Sequence, residues 1–144
     1  MDLFSRKIIG WNLDKTMAKE FCLVALDRAL NFRNPSEKLI HHSNRGSQYA
    51  SNDYIERLKE HKIQISMSRR GNCYDNACIE SFHTTIKKEL IYRRRFSSRE
   101  EATTAILKYI VTFYSERRSH STLGYVSPNE YEKAYLDSQL KSAN

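Results

Sequence analysis

Apolar and polar positions along this chain switch between two periods, and each switch marks an element. Residues 7–13 (KIIGWNL) are rich in β-branched and aromatic side chains and run into polar Asn12 to Asp14, which predicts a strand. From Asp14, a candidate N-cap, Ala18, Phe21, Cys22, Ala25 and Ala29 recur at helical spacing, and the pattern stops before Asn34-Pro35. Residues 38–41 (KLIH) predict a second strand, and the polar run from His42 to Asn52 predicts a loop at its end. A short helix follows over 53–60, with Tyr54, Ile55 and Leu58 on one side. Ile63, Ile65 and Met67 then alternate with Gln64 and Ser66, which is strand periodicity.

Residues 68–74 (SRRGNCY) form a basic, glycine-bearing loop. After Asp75 a longer helix is predicted, with Ile79, Phe82, Ile86 and Leu90 on one face and Glu80, Thr84 and Lys87 on another. Ser98 and Glu101 spell a capping box ahead of the stripe Ala102, Ile106, Tyr109, Ile110 and Phe113. The order strand, helix, strand, helix, strand, helix, helix argues an α/β fold, with one domain over residues 1–136 and a frayed tail over 137–144.

Composition narrows the class. With 144 residues, 40% hydrophobic and 28% charged, the chain can bury the core of one soluble domain. No run approaches the roughly 20 apolar residues that span a bilayer, and the first residues lack a signal-peptide pattern, so a cytoplasmic protein with no membrane partner is expected. Cys22, Cys73 and Cys78 form no CxxC pair and are odd in number, which points to reduced, structural thiols. His41, His42, His83 and His120 do not group at zinc-ligand spacing. The net charge of +7 is concentrated at Arg69-Arg70, Lys87-Lys88, Arg93-Arg94-Arg95 and Arg117-Arg118. Two readings stay open for those clusters: polyanion contacts or solvated faces.

Four ordered segments carry a resemblance. Asp2 to Trp11 (DLFSRKIIGW) resembles D-L-F-S-R-x-I-x-G-W, and His42 to Tyr49 (HSNRGSQY) resembles H-S-D-x-G-x-Q-Y. Asp75 to Glu89 (DNACIESFHTTIKKE) resembles D-N-A-x-x-E-S-F-x-x-x-K-x-E, and Arg117 to Pro128 (RRSHSTLGYVSP) resembles R-x-H-x-x-L-G-Y-x-S-P. These are segments of bacterial insertion-sequence transposases whose DDE catalytic core is similar to that of retroviral integrases. Between position 44 and Glu80 lie 35 residues, the interval which that family keeps between its second and third catalytic carboxylates.

The resemblance implies an RNase H-like integrase core that integrates and transposes DNA by phosphoryl transfer assisted by Mg²⁺ or Mn²⁺, with DNA at element ends and target as partner. It implies Glu80 as the third carboxylate and metal ligand. Asn44 stands where the second Asp belongs, and a neutral amide is a weak metal ligand, so poor metal binding is expected. Lys87, seven residues past Glu80, is implied as a phosphate contact; Arg69, Arg70, Arg93, Arg94 and Arg95 are candidate contacts to the DNA backbone. The family's first catalytic Asp belongs to a strand ahead of D-L-F-S-R, and Asp2 matches a position outside the triad. The expected fold therefore lacks the first strand and most of the second and is marginal or rearranged, and the chain is expected to be an inactive truncated remnant. Two alternatives remain: a non-catalytic module that binds DNA or intact transposase subunits and inhibits them, or an upstream reading frame that supplies the missing strands. Tyr109, Phe113 and Tyr114 follow the helical stripe and are read as packing rather than base-stacking groups.

Overall fold

The computed structural model describes residues 1–15, 19–69 and 76–142. The chain divides into two compact units, Ile9–Ser81 and Met1–Ile8 with Phe82–Asn144. The first contains α1 (Lys19–Arg33), β1 (Ile40–Ser43), α2 (Asn52–Glu60) and β2 (Gln64–Met67), and α3 (Ala77–Glu89) starts in it. Ala18 and Asp75, expected within and ahead of helices, lie outside the described residues.

The core of the first unit follows from helical spacing. Cys22, Leu26 and Leu30 recur every fourth residue on one face of α1 and are buried in a cluster with Tyr54 and Leu58 of α2 and with Ile63. Neither Cys22 nor Cys78 is in a disulfide. β1 and β2 pair in parallel, Ile40 opposite Gln64 and Ser43 opposite Met67, and among the described residues the sheet has these two strands. α2 links them, as a parallel pair requires a crossover.

The predicted strand over residues 7–13 is not observed; this stretch is irregular. Its backbone finds partners other than a ladder. The Trp11 carbonyl accepts from Arg28 Nη1 of α1 at 2.8 Å. Gly10 lies so close to α1 that a Cβ there would stand 2.3 Å from the Ala25 carbonyl oxygen and 2.7 Å from Ala29 Cβ. Ala25 and Ala29 are thus the small face on which this segment rests, and strand pairing would lift it off. The other two strands begin one or two residues later than their hydrophobic pattern suggests, at Ile40 and Gln64.

Behind β1, His41 Nε2 and the Tyr54 hydroxyl are 3.0 Å apart, and their rings meet edge to face at 5.5 Å. Burial pushes His41 down to about 4.

In the second unit, α4 (Arg99–Lys108) continues as a π-helical stretch over Tyr109–Tyr114, and α5 spans Pro128–Ser142. Ser98 Oγ accepts from the Glu101 backbone N–H at 3.1 Å as the capping box predicts. The Glu101 carboxylate reaches one residue further back, to the backbone N–H of Ser97 at 2.7 Å, and also accepts from the Ser97 hydroxyl and Arg94. Those donors hold Glu101 down at about 2. The Ser115 N–H bonds the Ile110 carbonyl, five residues back, and the wider turn changes the helix phase. Phe113, expected on the buried stripe, is consequently 42% exposed and Tyr114 takes the interior at 2%. The Tyr114 ring meets Phe82 at 4.9 Å and His120 at 4.9 Å.

Glu89 joins these elements. It accepts from the Tyr109 hydroxyl at 2.5 Å and pairs with Arg118 at 3.2 Å. Partial burial opposes its charge, and those two donors outweigh it and hold the carboxyl below the usual range. At the other end of this unit Asp2 Oδ1 accepts from the Phe4 N–H, the Ser5 hydroxyl donates to Glu132 at 2.7 Å, and Lys7 pairs with Glu132 at 3.1 Å. Phe4 packs on Tyr131 and Tyr135 of α5. The stretch after Leu136, expected to fray, continues α5 to Ser142 with exposed side chains.

Two measurements test this packing. Gly10→Ala forces a methyl against a helix carbonyl and should destabilise the chain by about 1–3 kcal/mol in urea unfolding, whereas Gly124→Ala, with open space around it, should not act by overpacking. His41 binds its proton more weakly folded than unfolded, so stability should be full above pH 6.5 and fall by up to about 3 kcal/mol as pH drops toward 4. His120 is lowered in the same sense by burial. A His41→Phe variant should therefore lose only part of the slope.

Candidate functional site

The C-terminal ends of two parallel strands and the residue preceding α3 meet at one hydroxyl. Ser68, just past β2, is buried and its N–H donates to the Ser43 carbonyl at 2.9 Å, extending the ladder by one residue. Its Oγ lies 3.3 Å from the Ser43 carbonyl oxygen, 3.1 Å from His42 Nε2 and 2.7 Å from Asn76 Nδ2. With its hydrogen on Ser43, the hydroxyl can only accept from His42 and Asn76. In that arrangement His42 carries its hydrogen on Nε2 and its Nδ1 accepts from the Ser66 hydroxyl at 2.9 Å; the other tautomer reverses both bonds. Asn76 thereby ties the start of α3 to the sheet.

Beyond Ser43 the chain turns on Asn44, whose Oδ1 accepts from the Gly46 N–H at 2.9 Å. Only the amide oxygen can accept, so the Asn44 Nδ2 faces away from the turn, on an exposed residue. Arg45 Nε donates to the Ser68 carbonyl at 2.9 Å, which fixes the guanidinium plane across the same strand ends. Glu80 is exposed in the first turn of α3, two helical residues beyond Cys78, and Lys87 is exposed in its last turn.

The integrase core domain family matches residues 1–73 of this chain, and a second integrase core domain profile matches residues 61–128. The chain belongs to the integrase core family. It is 45% identical to the transposase for insertion sequence element IS904 of Lactococcus lactis subsp. lactis over 133 residues, which cover 92% of this chain and 53% of that protein. It is 42% identical over 134 residues to the insertion element IS600 uncharacterized 31 kDa protein of Shigella sonnei, covering 93% and 49%. The transposase InsF for insertion sequence IS3A of Escherichia coli is 41% identical over 136 residues, covering 94% and 47%. The chain spans about half the length of the curated relatives it matches.

An integrase core implies an RNase H-like fold, and the mixture of helices with a small parallel sheet is consistent with it. Position 44 at a strand end and Glu80 in the first turn of α3 lie on elements of the Ile9–Ser81 unit. Arg69 adjoins Ser68 and is exposed, while Arg70 lies outside the described residues. Arg93, Arg94 and Arg95 belong to the other unit, where Arg93 Nε donates to the Lys88 carbonyl at 2.9 Å and Arg94 pairs with Glu101 at 2.7 Å and sits over the Phe96 ring. Arg95 is exposed. Among the described residues no three of His, Cys, Asp and Glu are grouped so as to hold a metal ion, and no helix is long and apolar enough to cross a membrane.

Sequence reasoning passed over Ser68, Asn76 and Arg45. Two signals were available: His42 and Asn76 lie inside the matched segments H-S-N and D-N-A, and Ser68 is a small polar residue at a strand end, where such a hub fits. Removing the Ser68 hydroxyl leaves His42 without a partner on Nε2 and Asn76 without its acceptor. Ser68→Ala should therefore cost about 1–3 kcal/mol, more than Asn76→Ala at about 1 kcal/mol, in chemical unfolding of the chain.

Proposed function

We propose that this chain is the integrase-core portion of an insertion-element transposase, acting on DNA in the cytoplasm, and that it holds DNA without cutting or joining it. Glu80 takes the place of the third catalytic carboxylate and position 44 that of the second, with the 35 residues between them that the family keeps. Lys87, Arg69, Arg70 and Arg93 to Arg95 supply positive charge for the phosphodiester backbone, sequence-independently and against salt.

The observation that carries the non-catalytic half of the reading is at Asn44. The family's chemistry uses Mg²⁺ or Mn²⁺ held by clustered carboxylates. Here the side chain at position 44 is neutral, and its single oxygen already accepts from the Gly46 N–H. A neutral amide together with Glu80 offers less ligand charge than the paired carboxylates the family's chemistry uses, so these side chains suit a divalent ion poorly.

The test is an incubation of the full chain with labelled duplex DNA in Mn²⁺, resolved on native and denaturing gels. Retarded complexes that dissolve as salt rises, without cleaved or joined strands, are expected, and Lys87→Ala should lower the log–log salt slope by about one. A joined product would overturn the reading.

A further inference from the structure

At the place where a transposase core carries a carboxylate, this chain displays hydrogen-bond donors in fixed positions. The Asn44 oxygen is committed to the Gly46 N–H, so the outward atom of its side chain is the Nδ2 amide, with two hydrogens. The next residue, Arg45, is anchored by Nε to the Ser68 carbonyl, and its terminal nitrogens bond no acceptor among the described residues. Both residues are exposed. The anchor itself is rigid, because Ser68 is 3% exposed and held by Ser43, His42 and Asn76. A planar guanidinium whose inner nitrogen is tied down presents its remaining N–H groups as a preset fork, the geometry that suits two oxygens of one phosphate.

From these contacts we infer that Asn44 and Arg45 form a metal-independent clamp for one backbone phosphate of duplex DNA. The strand end that would hold a cation through negative oxygens instead holds the anion directly, through an amide and a guanidinium. The inference rests on the DNA-binding reading above and adds to it a named contact. Its sign is opposite to that of a catalytic centre: an Asp at position 44 would keep the same turn with one oxygen and aim the other, negatively charged, at the phosphate.

That isosteric exchange makes the test sharp. Fluorescence anisotropy of the full chain with a labelled duplex is run in EDTA across a salt series, using wild type, Asn44→Asp, Arg45→Ala and Arg45→Lys, with unfolding midpoints taken alongside. Wild type should bind in EDTA. Asn44→Asp should bind about tenfold more weakly at an unchanged midpoint. Arg45→Ala should lose about tenfold and lower the log–log salt slope by about one, and Arg45→Lys should keep the slope while recovering only part of the affinity. Binding by Asn44→Asp or by Arg45→Ala within twofold of wild type, or wild-type binding that appears only with Mn²⁺, would overturn the clamp while leaving DNA binding intact. No binding of any variant with or without Mn²⁺ would remove the DNA reading together with the clamp. If Arg45→Ala fails to fold, Asn44→Asp decides alone, since it preserves shape and the turn.

Discussion

A hydroxyl group taken out of water must find partners inside the protein, and leaving it or its neighbours unpaired costs on the order of a few kcal/mol. Ser68 meets that demand with three groups from three places: a carbonyl at the end of β1, a ring nitrogen within β1 and the amide of the residue preceding α3. Among the described residues the sheet has two strands of four residues and could not by itself fix where α3 begins. Through Asn76 the hydroxyl does so, and the carbonyl of the same residue holds Arg45 Nε. Arg45 and the start of α3 are therefore both tied to Ser68, one through its carbonyl and the other through its hydroxyl.

The helices were legible because their apolar stripes are long. Cys22 and Phe82 with Ile86 fall where the pattern places them, and Ser98 caps α4 as its spelling suggests. The segment around Gly10 was not legible, because β-branched and aromatic composition measures suitability for a half-buried surface and does not name the neighbour. Here the neighbour is a helix with alanines at 25 and 29. At the site, Glu80 and position 44 could be found from motif and interval, whereas Arg45 falls where the H-S-D-x-G-x-Q-Y pattern specifies no residue and could not. Its role emerges only from the direction of a hydrogen bond to a residue 23 positions away.

The Glu89 cluster shows the opposite case, in which matched motif residues serve structure. Glu89 ends the helix motif and Arg118 belongs to the downstream motif, and the two meet with Tyr109 in one partly buried group. A charge pair of this kind is worth keeping because breaking it strands the other member, more than because it adds much net stability. Such residues answer to the fold of their own unit. Proximity in a motif to Glu80 does not make them part of its chemistry.

The π-helical turn over Tyr109–Tyr114 gives the helix that begins as α4 two interior faces that do not line up. A wide turn is what remains when one residue is inserted into an α-helix and the flanking turns keep their packing. Reading that helix as a single repeat therefore puts Phe113 on the interior stripe, whereas it is 42% exposed and Tyr114 is the buried ring. Any engineered repacking has to treat the residues on either side of the turn as separate registers, each with its own rule for which side chains may be large.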